Sequence, residues 1–121
     1  MSWGGSMTCI VTNQTGGTIT QVSVTHEWDG NVSSMSVSPI GDTVATPFSI
    51  TVGSGGRDLW SLSFVASNGV TYSANNKQCN VEEEDFDSGD PVNLNLGTAD
   101  QGYSIMMPVS SSCENNDYSS S

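Results

Sequence analysis

The chain has 121 residues, enough for one domain and too short for two ordinary ones. Thirteen acids against two basic residues, Arg57 and Lys77, give a net charge of −11. That excludes nucleic acid, whose phosphates need patches of Lys and Arg, and disfavours an anionic membrane surface; no apolar run approaches the roughly 18 residues of a membrane span.

The chain reads as strands. Apolar and polar residues alternate and β-branched residues abound, with no helix of useful length. Met7 to Thr12 is a first strand, closed by Asn13-Gln14-Thr15-Gly16-Gly17. Thr18 to Trp28 is the clearest strand: Val22, Val24, His26 and Trp28 share one face, and Gln21, Ser23, Thr25 and Glu27 share the other. Asp29-Gly30 signals a tight hairpin into Val32 to Val37. Pro39 to Gly41 breaks the pattern, which Phe48, Ile50 and Val52 resume. The glycine-rich loop Gly53 to Asp58 leads to Leu59 through Ala66, with Trp60, Leu62 and Phe64 as a second apolar stripe. Asn68-Gly69 predicts a two-residue hairpin continuing through Val70 and Tyr72. Shorter strands are expected at Cys79 to Glu82, Pro91 to Leu96 and Gly102 to Val109. Residues 1–109 then form one domain, and the Ser- and Asn-rich residues 110–121 form a frayed tail. Short strands without crossover helices predict an all-β fold, an antiparallel β-sandwich of about eight or nine strands, with a small barrel as the alternative.

Cys9, Cys79 and Cys113 allow at most one internal bridge. Pairing Cys113 with either Cys9 or Cys79 would anchor the C-terminal segment. Met1 to Ser6 lacks the basic start and apolar core of a secretory signal, which suits the cytoplasm. Low Lys content and Ser/Thr richness suit a protein exported by another route. Asn13-Gln14-Thr15 and Asn31-Val32-Ser33 fit the glycosylation acceptor pattern.

The acidic run Glu82 to Asp90 is the feature closest to a metal site. Calcium needs several converging carboxylate and carbonyl oxygens, which Asp85, Asp87 and Asp90 could supply from a loop. The run is no EF-hand, because its Gly comes one place early and Leu96 stands where the last Glu belongs. Its ordinary reading is a solvated acidic loop that blunts a sheet edge. His26, the only histidine, shares a face with Val24 and Trp28 and so reads as a partly buried core residue. No Gly-x-Ser-x-Gly elbow accompanies it, and three-ligand zinc sites need more His and Cys than this chain has. The loop Gly53 to Asp58 lacks the helix N-terminus and nearby Lys of a phosphate loop, and Arg57 is expected to pair with a neighbouring acid. Trp28 and Trp60 alternate as core residues, whereas Trp3 and Tyr103 are the aromatics expected at the surface.

A pattern of spaced positions is similar to a known family. Thr8-Cys9-Ile10-Val11-Thr12-Asn13-Gln14-Thr15-Gly16-Gly17, His26, Gly56-Arg57-Asp58-Leu59-Trp60 with Phe64, Lys77 and Cys79, and Ser110-Ser111-Ser112-Cys113 resemble the up-regulated-in-Daf domain family. Leu59 stands where an aromatic is expected, and the acidic run is longer than usual. The resemblance implies a small one-domain β protein without an assigned reaction. The all-β, acidic character is more distantly similar to the aegerolysin and actinoporin-like sandwiches, which bind membrane lipids.

Without a catalytic set, the expected function is a non-catalytic, lectin-like or lipid-binding module, of the kind found in defence or toxin systems. It would recognise a glycan or lipid headgroup through inter-strand loops, with Trp3, Tyr103, Asp58 and Arg57 as ligand-binding residues and calcium as the one cofactor weighed. The alternatives are a structural protein whose copies join through sheet edges as a homo-oligomer, and a small hydrolase using its many acids.

Overall fold

Alternation decides what each strand buries. The structure, a computed structural model, describes residues 3–120. Met1 and Ser2, part of the stretch read for a signal, and Ser121, the end of the expected tail, lie outside the described residues. In β1 (Gly4–Asn13), Cys9, Val11 and Asn13 are buried while Thr8 and Thr12 turn outward. The same period runs through β2 (Thr20–Trp28) and β5 (Asp58–Val65), which bury Val22, Val24 and His26, and Trp60, Leu62 and Phe64. The remaining strands are β3 (Asn31–Val37), β4 (Ala45–Gly53), β6 (Thr71–Gln78), β7 (Val92–Leu96), β8 (Tyr103–Met106), β9 (Cys113–Asn115) and β10 (Ser119–Ser120).

These make two five-stranded sheets, ordered β4-β1-β7-β8-β9 and β10-β6-β5-β2-β3. The predicted sandwich is therefore the fold, and neither sheet closes into a barrel. One pair departs from the antiparallel expectation: β1 and β7 run parallel, Cys9 opposite Val92 and Asn13 opposite Leu96. Between the sheets lies the core, with Cys9, Val11, Ile50, Val52, Leu94 and Ile105 from one side and Val22, Val24, Trp60, Leu62 and Phe64 from the other.

Local turn chemistry follows the sequence in one hairpin and departs from it in another. Asp29 and Gly30 both adopt positive φ, 48° and 78°, as a two-residue type I′ turn requires. The Asn68-Gly69 hairpin is instead a three-residue loop. Ala66 N–H bonds the Val70 carbonyl, Gly69 N–H bonds the Ala66 carbonyl, and only Gly69 takes the left-handed conformation.

The expected strand at Cys79 to Glu82 is irregular chain leading into the six-residue helix α1 (Glu83–Ser88). The Val81 N–H goes to the Asp58 side chain instead of to a neighbouring strand. Residues 110–120, read as a frayed tail, contain β9 and β10. Three things tie them down: a disulfide from Cys113 to Cys79, the pairing of Ser119 and Ser120 with β6, and Tyr118 packed among Phe64, Tyr72 and Tyr103. Cys9 remains a free, buried thiol whose burial pushes its pKa up to about 12.

The connections gather at two ends. One end, here the near end, holds Trp3, the Asp29-Gly30 turn, the loop Gly53–Arg57 and the segment Cys79–Glu82. The far end holds Asn13–Gly17, the Ala66–Val70 hairpin and the Gly97–Gly102 loop.

Candidate functional site

At the near end a buried carboxylate organises the loops. Asp58 opens β5 opposite Trp28, and its side chain turns inward with 3% exposure. Its neighbour across the sheet is His26, fully buried, whose Nε2–H donates to Asp58 Oδ2 at 2.6 Å. The other carboxylate oxygen accepts the Val81 N–H at 3.0 Å, and the Asp58 N–H donates to Asn80 Oδ1 at 3.0 Å. So one acid fixes both the start of β5 and the irregular segment that follows β6. The imidazole packs on Trp60 with ring centroids 4.5 Å apart, and Nδ1 is buried without a hydrogen-bond partner.

Around this acid lies a cavity of about 150 Å³ lined by Trp3, Gly53, Gly55, Gly56, Asp58, Asn80, Val81 and Glu82. The glycines are there for space and for turn. A Cβ on Gly53 would sit 2.3 Å from the ring of Trp28, and Gly55 and Gly56 adopt positive φ of 76° and 69°. Trp28 lies against Gly53, donates from Nε1 to the Gly55 carbonyl at 2.8 Å, and so closes the loop. The Ser54 N–H bonds the Trp3 carbonyl at 2.9 Å, which docks the N-terminal segment on the same loop.

Chemically the cavity is an acceptor-rich hollow with one aromatic wall. Each Asp58 oxygen has accepted one hydrogen bond and retains a lone pair. Among the described residues Asn80 uses only its oxygen, which leaves its NH₂ group to donate. Trp3 is half-buried, its indole leans on Phe86 with ring centroids 5.5 Å apart, and the residue lines the cavity.

Two of the expected ligand-binding residues, Trp3 and Asp58, thus meet in one cavity. Arg57 is exposed beside it, outside the lining, and among the described residues it makes no ion pair; the expected pairing with an acid is absent. Tyr103 does not belong to this site and is not a surface aromatic. It is 2% exposed, because it occupies an inward position of β8, and its hydroxyl donates to Asp117 at 2.7 Å. Burial and the Asp117 carboxylate raise its pKa above the usual phenol value. The same carboxylate binds Lys77 Nζ at 2.8 Å, and these bonds hold the Asp117 pKa below the usual carboxylate range.

The acidic run does not converge on a metal. Asp85 is buried, and its two oxygens accept the N–H groups of Glu82, Val109 and Ser110 and the hydroxyl of Ser110. Burial alone would raise its pKa, but these donors outweigh it and lower the value. Asp87 and Asp90 are exposed. Among the described residues no three His, Cys, Asp or Glu side chains gather as a metal would require, Asp85, Asp87 and Asp90 included. Asp85 is a structural cap that fastens α1 to the chain after β8. The acceptor motif at Asn13 is likewise closed. Its buried Nδ2 donates to the carbonyls of Gly17, Ile40 and Gly41, at 2.7, 3.0 and 3.0 Å.

The sequence reading passed over Asn80 and Glu82 as site residues and His26 as the partner of Asp58. The pairing of His26 with Asp58 needs the register of β2 on β5, which spacing along the chain does not provide.

No family model matches the chain, and no curated protein matches it. Among solved structures it is similar to one described as the NMR structure of the protein from Eubacterium rectale. The two are 14% identical, with a TM-score of 0.49 over 85% of this chain and 88% of that one.

Proposed function

We propose that the protein is a non-catalytic binding module that takes a neutral sugar residue into the near-end cavity. The observation that carries this reading is the convergence of Trp3, Asp58 and Asn80 on one hollow. Sugars present hydroxyl groups that both donate and accept, and C–H faces that pack on an indole. A held carboxylate, an amide with a free NH₂ group and a half-buried tryptophan answer those features in turn.

Electrostatics favours a glycan over a lipid headgroup. A lipid phosphate would enter beside Asp58 and Glu82 in a chain of net charge −11, with Lys77 bonded to Asp117 and Arg57 outside the lining. A neutral glycan meets no such repulsion. Against a hydrolase stands the placement of His26, which has no exposed surface, one nitrogen committed to Asp58 and the other enclosed.

A glycan array probed with the labelled protein tests the reading, followed by titration of the intrinsic tryptophan fluorescence. Selective binding of neutral glycans is expected, weakened about tenfold or more by Trp3→Ala, the scale of an aromatic anchor, with the folded circular dichroism spectrum unchanged. A uniformly blank array would sink the reading, as would a Trp3→Ala variant that binds as the parent does.

A further inference from the structure

A second cleft, of about 280 Å³, lies at the far end and is lined by Gln14, Asn95, Gly97, Gln101, Gly102, Tyr103, Ser104 and Glu114. Its floor is set by strand register. Asn95 of β7 stands opposite Ser104 of β8, and Ser104 stands opposite Glu114 of β9. Their sequence neighbours Leu94, Leu96, Tyr103 and Ile105 are buried, so this row of polar side chains faces outward. Asn95 Nδ2 donates to Ser104 Oγ at 3.2 Å, leaving the Asn95 carbonyl to accept and the Ser104 hydroxyl to donate. Gln101 sits on the rim, its Oε1 accepting from the Thr98 N–H at 3.4 Å and its NH₂ group free.

The rim is rigid for a steric reason. The loop after β7 folds back so tightly that a Cβ on Gly97 would lie 2.4 Å from the Gly102 carbonyl, and one on Gly102 would lie 2.0 Å from that of Asn115. Gly97 N–H bonds the Gly102 carbonyl at 2.9 Å, and Tyr118 donates to the Gly97 carbonyl at 3.2 Å.

We propose that this cleft is a second sugar site and that the protein is therefore bivalent, able to bridge two glycan chains; the bridging rests on the near-end reading above. Three amides, a hydroxyl and one carboxylate are alternating donors and acceptors, the complement of a polyol. Among the described residues no cation lines the cleft, which selects against sulfated or acidic sugars. Tyr103 turns its ring inward, so recognition is by hydrogen bonds at the edge of the sugar instead of by stacking. The ten residues of β1 run from one end to the other, and at about 3.3 Å per residue they separate the two sites by roughly 30 Å. One short oligosaccharide cannot fill both, whereas two chains on neighbouring surfaces can.

The test is nitrogen-15 NMR of the full chain titrated with four neutral hexasaccharides: cello-, malto-, manno- and chitohexaose. The expected result with at least one is two separate sets of shifted amides, one over Gly53–Asp58 and Asn80, the other over Asn95 and Gly97–Ser104. An Asn95→Ala/Ser104→Ala variant should lose the second set, with the far-site Kd raised about tenfold or more, and keep the first. That variant should also fail to clump beads coated with the bound sugar, which the parent clumps. Shifts at the near end alone overturn the second site and leave the first reading standing. Shifts at the far end alone, unaffected by Trp3→Ala, overturn the near-end reading and the bridging but keep the second site. No shifts with any of the four sugars overturn the proposal.

Discussion

The two ends of the sandwich use one device with opposite outcomes. Each gathers its loops around a buried polar side chain: Asp58 at the near end, Asn13 at the far end. Asn13 is saturated, with three carbonyls on its NH₂ group and both the N–H and the hydroxyl of Thr15 on its oxygen. All its capacity is turned on the protein. Asp58 binds His26 and Val81 and still borders a hollow with lone pairs to spare. A buried polar group becomes a binding group only when the structure that holds it leaves part of it unspent. The far-end cleft differs, since its donors and acceptors are outward-facing side chains, of which Gln101 and Glu114 are exposed. Ordering costs about 0.5–1.5 kcal/mol per side chain, so on the proposed reading the near end should bind more tightly than the far end.

The largest effects should come from removing the two anchors, and they should differ in place. Asp58→Ala strands His26 and the Val81 N–H in the core, and breaking a buried pair from one side costs about 3–5 kcal/mol. Asn13→Ala orphans the carbonyls around it, at about 1–3 kcal/mol for buried groups left unpaired. Urea unfolding should rank them in that order. Amide hydrogen exchange should show loosened protection over Gly53–Glu82 in the first variant and over Asn13–Gly17 and Ile40–Gly41 in the second. Equal loosening at both ends in either variant would mean that the ends are one cooperative unit and that the contrast drawn here is wrong.

A smaller effect belongs to Asp85, whose carboxylate ties α1 to Val109 and Ser110. Its pKa is lowered in the folded chain, so the charged form is favoured by folding. That contribution is present above the unfolded value of about 3.9 and disappears as the pH falls through the lower folded value. Asp85→Ala should therefore melt well below the parent at pH 7, and the gap between the two melting temperatures should close on acidification below about pH 4. A gap that stays constant with pH would show that Asp85 acts through shape alone.

How much of this was legible in the sequence depends on the range of each contact. Val22, Val24 and His26, and Trp60, Leu62 and Phe64, declare a buried face by alternation alone, and the pairing of β2 with β5 joins the two stripes into one face of one sheet. Asp29-Gly30 declares its own turn. Tyr103 was also legible, because Tyr103, Ile105 and Met107 repeat at every second position. What could not be read is what depends on register between distant strands. The parallel pairing of β1 with β7 is one case, and the joining of His26 to Asp58 is another. The ordering of residues 110–120 is a third, for composition alone reads Ser and Asn as loose chain, while Cys113, Asp117 and Tyr118 each find a partner far away in sequence. Within the site, Trp3 and Asp58 could be nominated separately, whereas their meeting in one cavity required the Gly53 loop to fold over Trp28.

The smallest effect separates screening from binding. Thirteen acids on a chain of 121 residues repel one another, so added salt should raise the melting temperature. If Asp85, Asp87 and Asp90 formed a calcium site, calcium would add stabilisation by mass action beyond what sodium chloride of equal ionic strength gives. The four donors on Asp85 leave that carboxylate no role as a ligand, and Asp87 and Asp90 stand exposed beyond the cap. Calcium chloride and sodium chloride matched in ionic strength should thus shift the melting curve by the same small amount, to within the residual preference of a crowded acidic surface for divalent ions. A calcium shift that saturates at micromolar concentration would mean that α1 rearranges, because Asp85 cannot hold both the Ser110 hydroxyl and a metal in its present position.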